Sequence, residues 1–320
     1  MKKCWNTLIF LSVLSGFGLL IRFPAEAARG AAQGLRVCGE IILPSLFPFL
    51  AFSGLCTALG LPTLLARLCG PLLRRMKLPP YAAVPLLLGL TGGYPAGAAA
   101  VAELVKSGAI SRSEAAKMLP WCNNTGPAFL IGAAGTAVFG SARIGIGLYL
   151  CHALASLSLA LLWGRSETAA APPSASFGGD FAVLFPACIR SAAASALSIC
   201  AFVVFFSVLT ALLSAVGLFS ALSAAIALRF GTELQFSRAL LTGLMELGSG
   251  IGAMSGLAPT RGNLALASFL IGFGGLSVQC QTLSVTAGAE IKCARHFVGR
   301  IAHGALSALY TFLLFTLLRI

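Results

Sequence analysis

Apolar residues fall in long runs along this chain, not in the alternating pattern of strands or the one-faced pattern of soluble helices. Residues 5–21, 41–61, 80–105, 119–141, 142–163, 199–217, 236–258, 262–285 and 299–319 are each predominantly apolar. About 20 such residues cross a bilayer as an α-helix. The pattern therefore predicts an all-α polytopic membrane protein. Between the runs, 23–40 is mixed and reads as interfacial. Residues 62–79 carry Arg67, Arg74, Arg75 and Lys77 with no acid, and read as a short basic amphipathic segment. Residues 164–180 are rich in Pro, Ser, Ala and Gly and hold the one Asp, Asp180, which marks a linker between two halves.

The first run follows Lys2 and Lys3, and Ala25-Glu26-Ala27 after it has the form of a signal-peptidase site. The run is long for a signal and Arg22 interrupts the approach, so an uncleaved helix is expected. Pro44 and Pro48 should kink the start of 41–61.

The halves repeat one order of elements. LLLGLTGGYPAGAAA (86–100) precedes a polar stretch and Phe129-Leu130-Ile131-Gly132; LLTGLMELGSGIGAM (240–254) precedes Phe269-Leu270-Ile271-Gly272. Each half then closes on a plain helix, 142–163 or 299–319. The expected layout is an N-terminal part (1–79), a first repeat (80–163), the linker (164–180), connecting amphipathic and transmembrane helices (181–235) and a second repeat (236–320).

Polar and helix-breaking residues interrupt the runs at corresponding places. Gly92-Gly93-Tyr94-Pro95 and Asn123-Asn124-Thr125-Gly126-Pro127 do so in the first half; Glu246 to Gly252, including Gly248, and Gly274 to Gln281, including Gly275, do so in the second. Irregular backbone at membrane depth is tolerated only where it is buried in protein or lines a cavity. Paired interruptions in two halves point to a transporter binding site near the midplane. If 80–105 and 236–258 are re-entrant hairpins and the other seven runs cross, fourteen Lys and Arg lie inside and eight outside; if all nine cross, the split is twelve to ten. The hairpin layout obeys the positive-inside rule better and inverts one half relative to the other. The fold expected is two inverted repeats, each a re-entrant hairpin, a broken helix and a plain helix.

Composition narrows the function. Hydrophobic residues make up 58 % of the chain and charged residues 10 %, against about 25 % charged in soluble proteins. The net charge of +13 sits in short loops, where it sets orientation, and gives no basic patch for nucleic acid. The ten cysteines form no C-x-x-C pair, so neither a disulfide framework nor a metal site is expected. His152, His296 and His303 lack metal-ligand spacing and read as isolated packed or interfacial residues. No P-loop, H-E-x-x-H or G-x-S-x-G is present and the single Asp excludes an aspartyl dyad, so an enzyme is not expected. GSGIGA (248–253) matches a dinucleotide fingerprint only formally, because no strand precedes it.

LPSLFPF (43–49), GGYPAGA (92–98), NNTGPAFLIGA (123–133), FGGLSVQCQ (273–281) and the basic 290–303 segment together resemble the YlbJ-type sporulation integral membrane proteins of the nucleoside-recognition (Gate) superfamily. The resemblance covers nearly the whole chain. It implies the hairpins and broken helices of concentrative nucleoside transporters, a role in forming the spore cortex, and the mother-cell or forespore membrane of a spore former.

Glu246 is the one acid inside a strongly apolar run. A carboxylate at membrane depth costs about 3 kcal/mol on insertion scales and more on an isolated helix, so it should face a cavity, a cation or a donor; the resemblance implies a sugar-binding acid there. Asn123, Asn124 and Thr125 cluster amides and a hydroxyl at a Gly-Pro break, fit for a polar solute or a coupling cation (Na+ or H+), or for satisfying the break itself. Ser277, Gln279 and Gln281 converge only if the backbone there is extended. Tyr94 suits a gate, a stacking platform or an interfacial anchor. Gly248, Gly252 and Gly256 form G-x-x-x-G steps that predict close helix packing. The partners expected are membrane lipid and a small polar solute, with no resident cofactor; a homo-oligomer is left open.

Overall fold

The computed structural model describes residues 2–164 and 180–318, so most of the expected linker lies outside the described residues. The described chain is helical throughout. It opens with α1 (Lys2–Arg22) and α2 (Pro24–Val37), set at 101° to one another. A π-helical turn at Cys38–Ile42 leads into α3 (Leu43–Ala58) and α4 (Leu61–Arg75). The first repeat follows as α5 (Ala83–Gly92), α6 (Ala96–Lys106), α7 (Arg112–Cys122), a π-helix at Ala128–Val138 and α8 (Ala142–Trp163). Then come α9 (Phe181–Ala215) and α10 (Leu218–Phe230). The second repeat is α11 (Leu234–Met245), α12 (Leu247–Gly252), α13 (Arg261–Phe273), α14 (Gly275–Thr286) and α15 (Ala294–Leu317).

Local chemistry sets these boundaries. Ser111 and Glu114 form a reciprocal capping box at the start of α7, and Ser141, Asp180 and Thr260 cap α8, α9 and α13 through their side-chain oxygens. Four segments among the described residues are long and apolar enough to cross a membrane: α8, α9, the run 261–289 and α15; the bent α1/α2 pair makes a fifth. Two of the seven expected crossings are shorter than drawn. Residues 41–61 hold a 16-residue helix after the π-turn, and 119–141 is divided by its break. Conversely, 199–217 is only the second half of α9, which runs 35 residues from Asp180.

The repeats have the expected order. In the first, α5 and α6 form the hairpin, α7 and the π-helix the broken helix, and α8 the plain helix. In the second, α11 and α12 form the hairpin, α13 and α14 the broken helix, and α15 the plain helix. One apolar core fills the first hairpin against α7 and α8. Another joins the π-helix and α8 to the second hairpin and α13, so the repeats share a core. Exposed Phe10, Phe17, Leu150, Leu162 and Leu228 form part of the apolar exterior.

Segment 23–40, as α2, packs along α9. Gly30 and Gly34 permit this, since a Cβ on either would lie 2.8–2.9 Å from α9 backbone at Val204, Ser207 or Val208. The G-x-x-x-G expectation fails: nothing approaches within 4 Å of a Cβ at Gly252 or Gly256, and Gly256 lies in a turn at φ +86°. The close contact of the second hairpin is between Gly243 and Gly250, where a Cβ on Gly250 would meet the Gly243 Cα at 2.1 Å.

Candidate functional site

The two hairpin tips and the two helix breaks meet. The first hairpin ends its α5 arm at Gly92 and turns through Gly93 (φ +80°), Tyr94 and Pro95, with a cis Tyr94–Pro95 bond. Its arms clasp the end of α7: a Cβ on Gly89 or Gly97 would lie 1.8 or 1.9 Å from the Cys122 carbonyl oxygen. The second hairpin breaks at Glu246, whose extended backbone (φ −142°, ψ 120°) separates α11 from α12. The second broken helix is interrupted by Gly274 and Gly275, at φ +89° and +72°, values glycine adopts without a steric cost.

Each break frees backbone carbonyls, and the other repeat supplies several of the donors. The Ile271 carbonyl, just before the second break, accepts from the Tyr94 hydroxyl (3.1 Å) and the Thr125 hydroxyl (3.3 Å). The Asn123 and Pro120 carbonyls of the first break accept from Arg300 Nη1 at 2.7 and 3.3 Å. Asn123 Nδ2 donates to Thr282 of α14 (2.8 Å), and Asn124 Nδ2 to the Trp121 carbonyl (2.8 Å) and Ser156 (3.1 Å). Pro127 closes the break and starts the π-helix. The reading of Asn123 and Asn124 as internal satisfaction of the break thus describes their side-chain contacts.

A small cavity of about 50 Å3 lies where these pieces converge. Gly93 and Tyr94 of the first tip, Thr125 and Gly126 of the first break, Glu246 and Gly248 of the second tip, and Gln281 of α14 line it. Apolar walls come from Ile42 and Leu46 at the α3 end and Ile199 and Val203 of α9, none of which the sequence pattern singled out. Glu246 is buried, and its two carboxylate oxygens accept from the Gly248 and Ser249 N–H groups at 2.8 and 2.5 Å. It is at once a cavity wall and the cap of α12.

Four expected residues stand away from this cavity. Asn123, Asn124, Ser277 and Gln279 are buried and none of them lines it. The extended backbone foreseen for 277–281 is absent because α14 begins directly at Gly275. On a helix Ser277 and Gln281 share a face, with Gln281 Nε2 donating to Ser277 at 3.4 Å; Gln279 points elsewhere and donates to the Phe273 carbonyl at 2.7 Å.

Arg300 is the main residue missed. Read as a loop charge that orients the chain, it is instead fully buried in α15. Removing it from the loop charges leaves thirteen inside against eight outside, so the orientation argument survives. Its Nη1 meets His303 Nδ1 at 2.7 Å, its Nη2 donates to the Tyr94 hydroxyl, and its guanidinium stands 5.1 Å from the centre of the Tyr94 ring. The His303 and His152 rings lie 4.4 Å apart, and His152 Nε2 accepts from the Thr125 N–H at 3.1 Å, so these histidines are not isolated. No group of three or more metal-ligating His, Cys, Asp or Glu occurs among the described residues. The signal for Arg300 was present: His296, Arg300, His303, Ser307 and Thr311 recur at helical spacing and form one buried polar stripe of α15.

Comparison with known proteins agrees with this architecture. Residues 41–137 match the family model described as Gate, nucleoside recognition, which takes in the first hairpin and the first break. The chain is 29 % identical to the sporulation integral membrane protein YlbJ of Bacillus subtilis, over 97 % of this chain and 83 % of that protein. The chain is similar to YlbJ. It also superposes on a solved structure of CNTnw in its intermediate 3 state with a TM-score of 0.55 at 14 % identity, covering 97 % of this chain and 86 % of that one. The fold is that of a concentrative nucleoside transporter. The Gate match, the likeness to an integral membrane protein and the apolar spans therefore agree with one another.

Proposed function

We propose that the protein binds a small polar solute, of nucleoside type, in the cavity between the hairpin tips, and does so as a transporter-like component of sporulation. The observation that carries this reading is the convergence on one cavity of Tyr94, Thr125 and Glu246, from three separate interruptions of the chain, with Gln281 of α14 beside them. A fold that needed its breaks only for packing would have no reason to turn them toward a common space. The YlbJ likeness supports a part in sporulation and a place in a membrane; a part in cortex formation, in the mother-cell or forespore membrane, belongs to the proposal.

The cavity has room for a few waters, while ligand pockets of drug-sized molecules run to about 300–1,000 Å3. A nucleoside-sized solute therefore needs one wall to move. Beyond Gly248 lies an open polar groove of about 780 Å3 between α2, α9 and α12, lined by Glu26, Arg29, Arg36, Ser207 and Ser249 among others. Gly248 borders both spaces, so α12 is the natural gate and the groove its vestibule. Coupling, on this reading, is to a proton at Glu246.

The test is a thermal-shift screen of purified protein with nucleosides, amino acids and cell-wall precursors. A ligand at a hundred times its Kd adds about 2.7 kcal/mol. We expect a nucleoside to stabilise the wild type but not Glu246→Gln, which keeps one cap acceptor. No shift with any solute, together with normal sporulation of Glu246→Gln cells, would favour the second reading, a non-transporting scaffold that keeps the Gate fold.

A further inference from the structure

We propose that Arg300 is a tethered cation that fills the carbonyl site of the first helix break, so that this break neither needs nor admits an alkali cation. This goes beyond the solute reading and stands or falls without it.

The C-terminus of α7 is where a cation belongs. The last carbonyls of a helix lack intrahelical donors and carry the negative end of its dipole. In broken helices of transporters, unwound carbonyls and half-helix C-terminal ends are the groups that hold Na+. Here the carbonyls of Pro120 and Asn123 accept from the Arg300 guanidinium instead. The remaining partners of that guanidinium are neutral as well: His303 Nδ1, the Tyr94 hydroxyl and the Tyr94 ring face. The His303 tautomer fits this role. Its Nε2 lies 3.0 Å from the His152 carbonyl, which can only accept, so Nε2 carries the proton and Nδ1 is free to accept from Arg300.

The charge is not there as half of an ion pair. Arg300 takes part in no salt bridge among the described residues; pairs such as Arg29–Glu26, Lys106–Glu103 and Arg112–Glu290 lie elsewhere, at exposed or part-exposed positions. A lone buried guanidinium is expensive, and here oxygens, one ring nitrogen and a π-face offset that cost. Carbonyl and hydroxyl oxygens are also the ligands that suit a hard monovalent ion. Arg300 differs in being fixed to α15, so it ties the second repeat to the first break and to the tip that lines the cavity.

The experiment needs no solute. Melting temperatures of purified full-length wild type, Arg300→Ala and Arg300→Lys are measured across titrations of NaCl and of guanidinium chloride at low concentration, against choline chloride at equal ionic strength. The wild type should give the same melting temperature in Na+ as in choline. Arg300→Ala should melt lower and be raised saturably by Na+ or guanidinium. Arg300→Lys, which keeps the charge, should recover most of the loss and respond to neither. A saturable Na+ shift in the wild type overturns the proposal, as does an Arg300→Ala protein that responds no more than the wild type. If Arg300→Ala fails to fold, Arg300→Lys decides: a folded, unresponsive protein supports the tethered charge, and one that fails to fold or is stabilised by Na+ refutes it.

Discussion

Some polar residues in this membrane core only satisfy backbone, while others also face the cavity, and spacing alone did not separate them. Gln279 and Gln281 are two positions apart and equally polar, yet one seals the Phe273 carbonyl and the other lines the cavity beside Glu246. Gln279→Leu leaves that carbonyl without its donor, and a buried unsatisfied polar group costs about 1–3 kcal/mol. It should lower the melting temperature and leave the affinity of a bound solute unchanged. Gln281→Leu gives up only a long 3.4 Å contact with Ser277. It should fold almost as stably and lose solute binding. Paired denaturation and binding measurements on the two variants check this, and the opposite assignment would move Gln279 into the site. Sequence reading put both in one constellation because it took the Gly274-Gly275 interruption to be longer than it is. Two left-handed glycines complete the break, and the helix resumes at once.

At the scale of elements, the interruptions themselves were legible. Gly-Pro and Asn-rich steps free backbone groups, and those steps became the hairpin tip and the break at the predicted residues. The packing between elements was not legible, because glycines in similar small, apolar stretches do opposite things. Gly97 lets the first hairpin close on the Cys122 carbonyl oxygen, where a Cβ would stand at 1.9 Å; Gly252 faces open space. The obstacle at Gly97 is backbone, which cannot rotate away. Gly97→Ala should therefore cost at least the 1–3 kcal/mol typical of overpacking and part the hairpin from the break. Gly252→Ala should be neutral or stabilise by up to about 1 kcal/mol, since alanine is the better helix former. Thermal unfolding of the two variants in detergent distinguishes them, and equal effects would argue against the clasp. Arg300 was hidden for a related reason. A basic residue at the edge of an apolar run ordinarily anchors a helix end, and only the stripe from His296 to Thr311 marks this one as interior.

For the molecule as a whole, the two hairpins decide the topology, and each makes a separate claim. A re-entrant hairpin returns the chain to the side from which it came. Lys77, before α5, and Ser107, after α6, must then share one side of the membrane. Glu233, before α11, and Pro259, after α12, must also share a side, and the inversion of the repeats makes it the opposite one. All four positions are exposed, so single cysteines there, in a background with the native cysteines replaced, should react freely with a membrane-impermeant maleimide. In intact cells only the cysteines at 233 and 259 should label; in inverted vesicles only those at 77 and 107. The charge distribution sets that order, because Lys106, Arg112 and Lys117 follow the first hairpin on the inner side. If 77 and 107 label from opposite sides, α5 and α6 cross as a span. The first tip then cannot meet the second at a shared cavity, and the space beside Glu246 loses its meaning as a binding site.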